Sequence, residues 1–349
     1  MKSIAAVLEK LNSPLTFMEL EVPDLTYGQV LVKVYCSSIC GAQIGEIAGF
    51  KGDDKYLPHL LGHEGSGSII DIGPGITHIH IGDRVVMHWR KGVGINASPP
   101  QYIHGKNIVG AGPIATFCEY AIVSENRATP ISSDIAFDIA SLMGCAVTTA
   151  LGLINNEAQL KIGQSIAVFG CGGIGLSVIQ GASLVSANPI IAIDKNPLKL
   201  QAASSMVATH TINTSKDNIL EKTRRIINDV DVAVECTGNV DLIEMAYRIT
   251  GPHGRTIMVG QPHHSQSLTI PFIRQHFTGK ILMDSEGGHT NPSIDIPRYI
   301  NLYQMGKLQL DSIITDRVPF IDINIALDKM RQGKIIGRCI LLHGDHANG

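Results

Sequence analysis

Three residues of this sequence carry side chains that commonly bind transition metals, two thiols and one imidazole. Cys40, His63 and Cys145 each stand directly next to a glycine, where an apolar run gives way to a loop. This donor set suits zinc, and three protein ligands leave a fourth tetrahedral position open, as in catalytic rather than structural zinc sites. Buried cysteines are also common and inert, so the residues alone leave both interpretations open.

A second group of residues is typical of phosphate binding. The apolar run 165–169 leads into the pattern G-x-G-x-x-G at residues 170–175, followed by a predicted helix. The first glycine permits a tight turn, the second lets backbone approach a pyrophosphate, and the third lets the helix pack close to the strand. Unpaired N–H groups of the helix then face the phosphates. The predicted contacts to a dinucleotide are Gly170, Gly172, Gly173, Ile174 and Gly175.

An acidic residue after the next predicted strand indicates which dinucleotide binds. Asp194 ends the apolar run 190–193, near the spacing of about 20 residues at which an acid accepts from ribose hydroxyls. A 2′-phosphate would be repelled by this carboxylate, so NAD is favoured over NADP. A loop cap is the alternative role for Asp194, and Lys195 beside it leaves dual cofactor use open.

Two regions that differ in their predicted secondary structure must position these residues. Residues 1 to about 147 contain short β-type runs such as 29–35 and 83–88, which indicates an irregular, mostly β domain. From about residue 160 apolar strands alternate with helical stretches, as in a doubly wound parallel sheet. After residue 288 the alternation fades into a helix and strands that pack elsewhere. The six candidate strands of the sheet are 165–170, 189–194, 207–212, 230–236, 255–260 and 280–284.

Composition excludes several classes of protein. A chain of 349 residues suggests two domains, and 44% hydrophobic residues with a net charge of -3 indicate a globular protein that does not bind nucleic acid. The N-terminal apolar run is too short for a signal peptide, and no stretch approaches the roughly 20 apolar residues that span a bilayer. Seven scattered cysteines favour a reducing compartment. We therefore expect a cytoplasmic protein with no membrane partner and no disulfides.

The order of these motifs resembles that of the zinc-containing medium-chain alcohol dehydrogenases over essentially the whole chain. That order is Cys40-Gly41, Gly62-His63-Glu64, the 82–85 strand, Cys145 followed by Thr149, and the glycine turn. The resemblance implies a zinc held by Cys40, His63 and Cys145, with Glu64 as an alternate ligand. It also implies a GroES-like irregular β-barrel catalytic domain (1–147 and 289–349), a Rossmann nucleotide-binding domain (148–288), and an active cleft between them.

The resemblance further implies a reaction and a set of contacts. Zinc stabilises the alkoxide form of an alcohol, which passes hydride to NAD, and reduction is the reverse. The expected cofactor contacts are Thr149, Asp194, Lys199, Val259 and Arg338. Trp89, Arg90 and His59 are candidate substrate-pocket residues, which would suit an anionic or sugar-type alcohol. The alternative is that Trp89 packs its lobe, that Arg90 is solvated, and that His59 is a surface or core residue; polyols, sugar derivatives and simple alcohols all stay open.

Two departures from the family pattern affect the site. Many members hold a structural zinc with four closely spaced cysteines, but residues 88–117 contain none, so we expect one catalytic zinc and no structural zinc. The usual proton relay is also changed, because Ala42 stands at its Ser/Thr position and Gly45 at a later histidine position. Gln43 replaces the acid that orients the zinc-bound histidine. It can accept from an imidazole N–H, but as a neutral group it predicts a lower metal affinity.

Two rival functions and the oligomeric state complete the expectations. One rival is a zinc-free quinone or enal reductase of the same superfamily, against which Cys40, His63 and Cys145 argue. The other is a non-catalytic relative that binds nucleotide, which the altered relay favours slightly. The edge formed by residues 255–260 and 280–284 predicts a homodimer or homotetramer.

Overall fold

A computed structural model describes residues 1–270 and 277–344 of the chain. Its contacts divide the chain into two compact units. Unit 1 is Met1–Thr148, Asn291–Gly306 and Ile314–Gly349, and unit 2 is Thr149–Thr290 with Lys307–Ile313. The domain bounds drawn from the sequence stay a prediction, and this division differs from them chiefly at Lys307–Ile313. Residues 271–276 and 345–349, which those bounds include, lie outside the described residues.

The strands of the described residues are β1 Lys2–Leu8, β2 Thr16–Glu21, β3 Gln29–Ser38, β4 His59–Leu60, β5 Glu64–Ile72, β6 Arg84–His88, β7 Gln101–His104, β8 Asn107–Gly110, β9 Tyr120–Ser124, β10 Ala128–Pro130, β11 Ile166–Phe169, β12 Ile190–Asp194, β13 His210–Asn213, β14 Val230–Glu235, β15 Thr250–Met258, β16 Ile281–Asp284, β17 Ile314–Pro319 and β18 Arg338–Leu342. The α-helices are α1 Gly41–Ile47, α2 Phe137–Ser141, α3 Ala146–Gly152, α4 Gly173–Leu184, α5 Pro197–Ser205, α6 Ile219–Ile226, α7 Val240–Ile249, α8 Pro292–Gln304 and α9 Ile323–Arg331. A π-helical turn, Leu153–Glu157, continues α3.

Unit 1 is built from a closed barrel and a second, larger sheet. The barrel has the order β1-β2-β7-β8-β4, and the seven-stranded sheet has the order β10-β6-β5-β3-β18-β17, with β9 also on β3. β3 and the first half of β5 are buried along nearly their whole length, and residues of both the barrel and the larger sheet, such as Ala5, Val32 and Ile69, share one apolar core. The C-terminal strand β18 pairs antiparallel with β3, so the end of the chain rejoins the first region. The sequence suggested one helix in this last region, whereas the structure has two, α8 and α9.

Unit 2 contains a six-stranded parallel sheet in the order β13-β12-β11-β14-β15-β16. In order of appearance this is 3-2-1-4-5-6, the doubly wound arrangement that changes direction between its first and fourth strands. The central strand β11 is buried on both faces, which explains its unbroken apolar run. All six strands expected from the sequence are present. The third starts later than expected, at His210, because Val207 has a φ of 74° and belongs to a turn.

Asparagines begin three helices of this sheet. The side chains of Asn196, Asn218 and Asn239 accept hydrogen bonds from the first turns of α5, α6 and α7. Such caps satisfy N–H groups that have no partner within the helix.

Among the described residues no single helix is both long and apolar enough to cross a membrane. Two consecutive helical segments, Phe137–Gly144 and Ala146–Glu157, together have the length and apolar composition of a membrane span, but the chain bends by 51° between them.

Candidate active site

Four potential metal donors meet in the interior of unit 1. The ligand atoms of Cys40, His63, Glu64 and Cys145 all lie within 4.8 Å of one another. Cys40, Glu64 and Cys145 are buried, and His63 is partly buried. The Nε2 atom of His63 is shielded from solvent and has no hydrogen-bond partner. An imidazole nitrogen left in this way among thiols fits a metal ligand better than a core histidine.

The local fold explains how donors distant in the sequence come together. Cys40 is the N-cap of α1, just beyond β3, and its backbone is extended there. His63 immediately precedes β5, and Glu64 is the first residue of that strand. Cys145 lies between a 3₁₀ turn, Leu142–Gly144, and α3. Because β3 and β5 are antiparallel neighbours, the end of one and the start of the other fall at the same edge of the sheet.

Glu64 is held by two contacts besides the metal donors. Its Oε1 atom accepts from Arg338 Nη1 at 2.7 Å, and its Oε2 atom accepts from the backbone N–H of Ala146 at 3.3 Å. Arg338 also donates to the carbonyl of Ile39 at 3.0 Å, while its Nε and Nη2 atoms are buried without a partner. Arg338 was expected to contact the cofactor. The structure adds a contact to Glu64, and the cofactor contact stays a prediction.

The pKa values of the two thiols are shifted in opposite directions. A hydrogen bond from Cys145 lowers the pKa of the Cys40 thiol well below its usual value against the effect of burial, and Arg338 and His63 act in the same direction. The same hydrogen bond and burial raise the pKa of Cys145. Cys40 is therefore the more acidic thiol of the pair. Because metals bind the thiolate, binding at this pair releases a proton.

Gln43 links two of the donors. Its amide oxygen accepts from the backbone N–H of Cys40 at 3.2 Å, and its amide nitrogen lies 2.5 Å from Nδ1 of His63. Gln43 was expected to accept from the imidazole. It does face the ring, but with the nitrogen rather than the oxygen of its amide, because Cys40 occupies the oxygen.

The glycine turn of unit 2 has the geometry that its sequence requires. Gly170 has a φ of 87°, which disfavours any residue with a side chain. A Cβ atom on Gly175 would lie 1.9 Å from the carbonyl oxygen of Gly170, whereas one on Gly172 would meet no atom within 4 Å. Gly172 is the N-cap of α4, and Gly173 and Ile174 begin the helix. The open side of Gly172 therefore offers backbone to a ligand.

The other predicted cofactor residues of unit 2 lie at strand ends or within helices. Asp194 ends β12, and its Oδ2 atom accepts from the backbone N–H of Cys171 at 2.8 Å. Burial raises the pKa of the Cys171 thiol to about 12, and the nearby charge of Lys199 opposes that rise. Val259 follows β15 and donates to the carbonyl of Glu235 at 2.7 Å. Thr149 is buried within α3.

The candidate substrate residues have structural roles of their own. Trp89 packs against the barrel core, and the guanidinium carbon of Arg90 lies 5.8 Å from its ring centroid. His59 is buried, and its Nε2 atom lies 2.7 Å from Oδ2 of Asp54. His88, which precedes Trp89, donates from Nδ1 to the carbonyl of Arg90 and pairs through Nε2 with Thr129. A substrate role for Trp89, Arg90 and His59 stays a prediction.

One residue of the nucleotide sheet was missed from the sequence. Glu235 is fully buried at the end of β14, and its carboxylate accepts from the backbone N–H groups of Thr237 and Gly238 and from the Thr237 hydroxyl. These bonds hold the turn at Thr237 and Gly238, which lies beside Gly170. A Cβ atom on Gly170 would lie 2.6 Å from Cγ2 of Thr237. The sequence feature that could have identified Glu235 is a single acidic residue at the end of an apolar strand.

Comparisons with known proteins agree with this architecture. Residues 26–133 match the alcohol dehydrogenase GroES-like domain, and residues 173–303 match the zinc-binding dehydrogenase family. The S-(hydroxymethyl)glutathione dehydrogenase of Synechocystis sp. is 32% identical over an alignment 367 positions long, which covers 96% of this chain and 98% of that protein.

Solved structures show the same fold. An alcohol dehydrogenase zinc-binding domain protein from Burkholderia ambifaria has a TM-score of 0.90 at 23% identity, with 98% of this chain and 99% of that chain covered. Benzyl alcohol dehydrogenase from Acinetobacter calcoaceticus has a TM-score of 0.89 at 25% identity, with 99% and 100% covered.

The chain therefore belongs to the zinc-binding alcohol dehydrogenase family, the medium-chain family that its motif order resembles. The predicted fold class, a GroES-like barrel domain with a Rossmann domain, is confirmed. The comparisons do not favour the zinc-free reductase or the non-catalytic relative.

Proposed function

We propose that this chain transfers hydride between an alcohol and NAD at a single zinc ion held by Cys40, His63 and Cys145. The observation that carries the proposal is the meeting of these donors with Glu64 within 4.8 Å, with His63 Nε2 buried and unpartnered. Family membership supplies the reaction class, since the relatives named above are alcohol or S-(hydroxymethyl)glutathione dehydrogenases.

The donors fit zinc by type and number. Two sulfur atoms and one imidazole nitrogen make a three-ligand set that leaves one position open for substrate. Glu64 already accepts from Arg338 and Ala146, which supports a role as an alternate rather than a permanent ligand. When bound, zinc supplies Lewis acidity that polarises an alcohol or carbonyl oxygen. The chain's own contribution is to hold the donors away from water and to balance their negative charge with Arg338.

We propose one zinc per chain and no structural zinc. The lobe at residues 88–117 has no cysteine, and other contacts hold its first part. The N–H of Gly92 donates to the carbonyl of Asn126 at 2.7 Å, and the N–H of Val93 donates to the Ser293 hydroxyl at 2.8 Å. His88 adds its two hydrogen bonds at the base of the lobe. These hydrogen bonds hold the segment through its own residues, which supports the proposal that no structural zinc is needed there.

The proposed cofactor is NAD(H). The Asp194 carboxylate stands at the end of β12, fixed by the N–H groups of Cys171 and Asn196, both at 2.8 Å. A negative charge in this place accepts from ribose hydroxyls and repels a 2′-phosphate. Thr149, Lys199, Val259 and Arg338 are the further proposed cofactor contacts. Dual use of NADP is the outcome that binding measurements must exclude, because Lys195 is adjacent.

The proposed substrate is a small alcohol or its aldehyde or ketone. Ala42 and Gly45 offer no side chain that could pass on a proton, so the proton leaves by a route that does not use those positions. Arg90 lies near the ring of Trp89 and places a cation on the lobe, which supports testing anionic and sugar-type alcohols beside simple ones.

We also propose a cytoplasmic homodimer or homotetramer. Seven free cysteines, two of them offered to a metal, suit a reducing compartment. Strand β16 is the last strand of its sheet, so one of its edges is not paired within the described sheet. Pairing of that edge with a second copy across a two-fold axis would cover it.

The proposal is tested by turnover. Purified protein with NADH is mixed with a panel of aldehydes and ketones, and NADH oxidation is followed in wild type, Cys145→Ser and Cys339→Ser. We expect activity in wild type and in Cys339→Ser, whose thiol lies in another part of the core, and its loss in Cys145→Ser. Equal activity in all three proteins would refute the proposed site.

A further inference from the structure

One buried side chain, that of Gln43, faces two nitrogen atoms of the proposed zinc site. It is 1% exposed, so water does not complete its hydrogen bonds. Its amide oxygen accepts from the N–H of Cys40, and its amide nitrogen faces Nδ1 of His63 at 2.5 Å. In this arrangement the ring accepts at Nδ1, and a neutral ring then carries its hydrogen on Nε2.

Zinc binding requires the opposite distribution of hydrogens. Nε2 is the ring nitrogen of His63 that has no partner, so it is the atom available to a metal. A neutral imidazole that binds through Nε2 carries its hydrogen on Nδ1. Two N–H groups, that of the ring and that of Cys40, then point at Gln43 together. An amide presents one acceptor atom and one donor atom, so these two faces cannot both receive N–H groups.

We infer that Gln43 is a positioning residue that keeps the zinc of this chain exchangeable. When zinc is bound, the amide either rotates, and loses its bond to Cys40, or stays, and leaves the ring N–H without an acceptor. Each outcome leaves a buried N–H unsatisfied in the zinc-bound state, a cost that a carboxylate at this position would not impose. A carboxylate at residue 43 has two acceptor oxygens and would serve both N–H groups. The inference rests on the proposed function, since it takes zinc to bind at Cys40, His63 and Cys145.

The competing explanation is that Gln43 only caps a helix. It is the third residue of α1 and reaches back to the N–H of its N-cap residue, Cys40, as in a capping box. A glutamate caps equally well. If capping were the whole role, Gln43→Glu would leave zinc affinity unchanged.

The experiment is a competition for zinc against a fluorescent chelator in wild type, Gln43→Glu, Gln43→Met and Glu46→Gln. Outer-shell partners of metal-bound histidines typically change affinity by about 10- to 100-fold, so we expect Gln43→Glu to bind zinc at least tenfold tighter than wild type. Gln43→Met, which serves neither N–H, is expected to bind no tighter than wild type. Glu46→Gln is a charge control on the same helix, because Glu46 pairs with Lys51 at the surface, and we expect a change of less than about twofold.

The outcomes separate this inference from the proposed function. If wild type binds zinc and Gln43→Glu binds it equally or more weakly, the inference is wrong and the proposed function stands. If neither binds zinc, the proposed function itself fails. Should Gln43→Glu be isolated only with zinc bound, its release to excess chelator is measured instead. A rate at least tenfold slower than wild type is then expected, and an equal rate overturns the inference.

Discussion

The carboxylate of Glu64 and the guanidinium of Arg338 form an ion pair, 2.7 Å between Oε1 and Nη1, with side chains that are 0% and 4% exposed. The pair joins the start of β5 to the start of β18 beside the metal donors. Burial raises the pKa of Glu64 to about 7, and the charge of Arg338 opposes that rise. Each charge is therefore tolerated in the interior largely because of the other.

Removing Arg338 should strongly destabilise the fold. Loss of one partner of a buried ion pair leaves an uncompensated charge and typically costs about 3–5 kcal/mol. We expect a loss of this size in the free energy of urea unfolding for Arg338→Met. Arg317→Met, which breaks the more exposed pair with Asp138, should cost less than about 1 kcal/mol. Similar losses in the two variants would show that the buried Glu64 pair stabilises the fold no more than an exposed pair does.

Substitution of two glycines of the nucleotide turn should have different effects, one on stability and the other on NADH binding. In Gly175→Ala the new methyl group meets the carbonyl of Gly170, so we expect a lower unfolding temperature and a cost of about 1–3 kcal/mol. In Gly172→Ala the methyl group enters open space, so stability should stay at the wild-type value while NADH affinity falls at least tenfold. Calorimetry and NADH fluorescence titration measure the two effects. Tight NADH binding by Gly172→Ala would place the pyrophosphate elsewhere.

The carboxylate of Asp194 should set the choice of cofactor. Asp194→Asn keeps the size of the side chain and removes its charge, so repulsion of a 2′-phosphate disappears. We expect the ratio of NADPH to NADH affinity to rise about tenfold, or ~1.4 kcal/mol. Asp241→Asn, in the first turn of α7, is the matched control and should leave the ratio unchanged. An unaltered ratio in Asp194→Asn would mean that Asp194 serves only the turn at Cys171.

Much of the architecture could be predicted because it depends on local pattern. The run Ile166–Phe169 followed by Gly170 predicts a buried parallel strand and a tight turn, since short-range sterics and burial dictate both. Bounds were less predictable where backbone conformation, rather than hydrophobicity, ends an element. Val207 is apolar but adopts a φ of 74°, so β13 begins three residues beyond it.

The contacts of the site were harder to predict because they join distant parts of the chain. Arg338 reaches Glu64 only because β18 pairs with β3, and no local pattern records that pairing. The orientation of the Gln43 amide depends on the N–H of Cys40, which becomes a competing donor only once α1 begins there. Tertiary placement therefore decides hydrogen-bond partners that residue types leave open.

Two buried histidines should make the fold sensitive to acid. Burial lowers the pKa of His88 to about 4 and that of His343 to about 3, below the value of about 6.5 in an unfolded chain. Between those values only the unfolded chain binds the protons. The part of the unfolding free energy that depends on these two histidines is therefore fully present above about pH 6.5 and is lost as the pH falls toward 4.

A glutamine in place of His88 checks this account. It can donate to the Arg90 carbonyl and accept from Thr129 as His88 does, but it does not titrate. Between pH 6.5 and 4.5 we expect His88→Gln to lose on the order of 2 kcal/mol less unfolding free energy than wild type, measured by urea titration. Parallel losses in both proteins would show that His88 is not protonated on unfolding.

Zinc content measured by elemental analysis tests the central claim most directly. Cys118 provides a matched control, because it is buried in the barrel core and its thiol contacts the carbonyl of Ala115 rather than a metal donor. We expect about one zinc per chain in wild type and in Cys118→Ser, and none in Cys40→Ser. Two zinc ions per chain in wild type, none in wild type after zinc supplementation, or full retention in Cys40→Ser would each contradict the account.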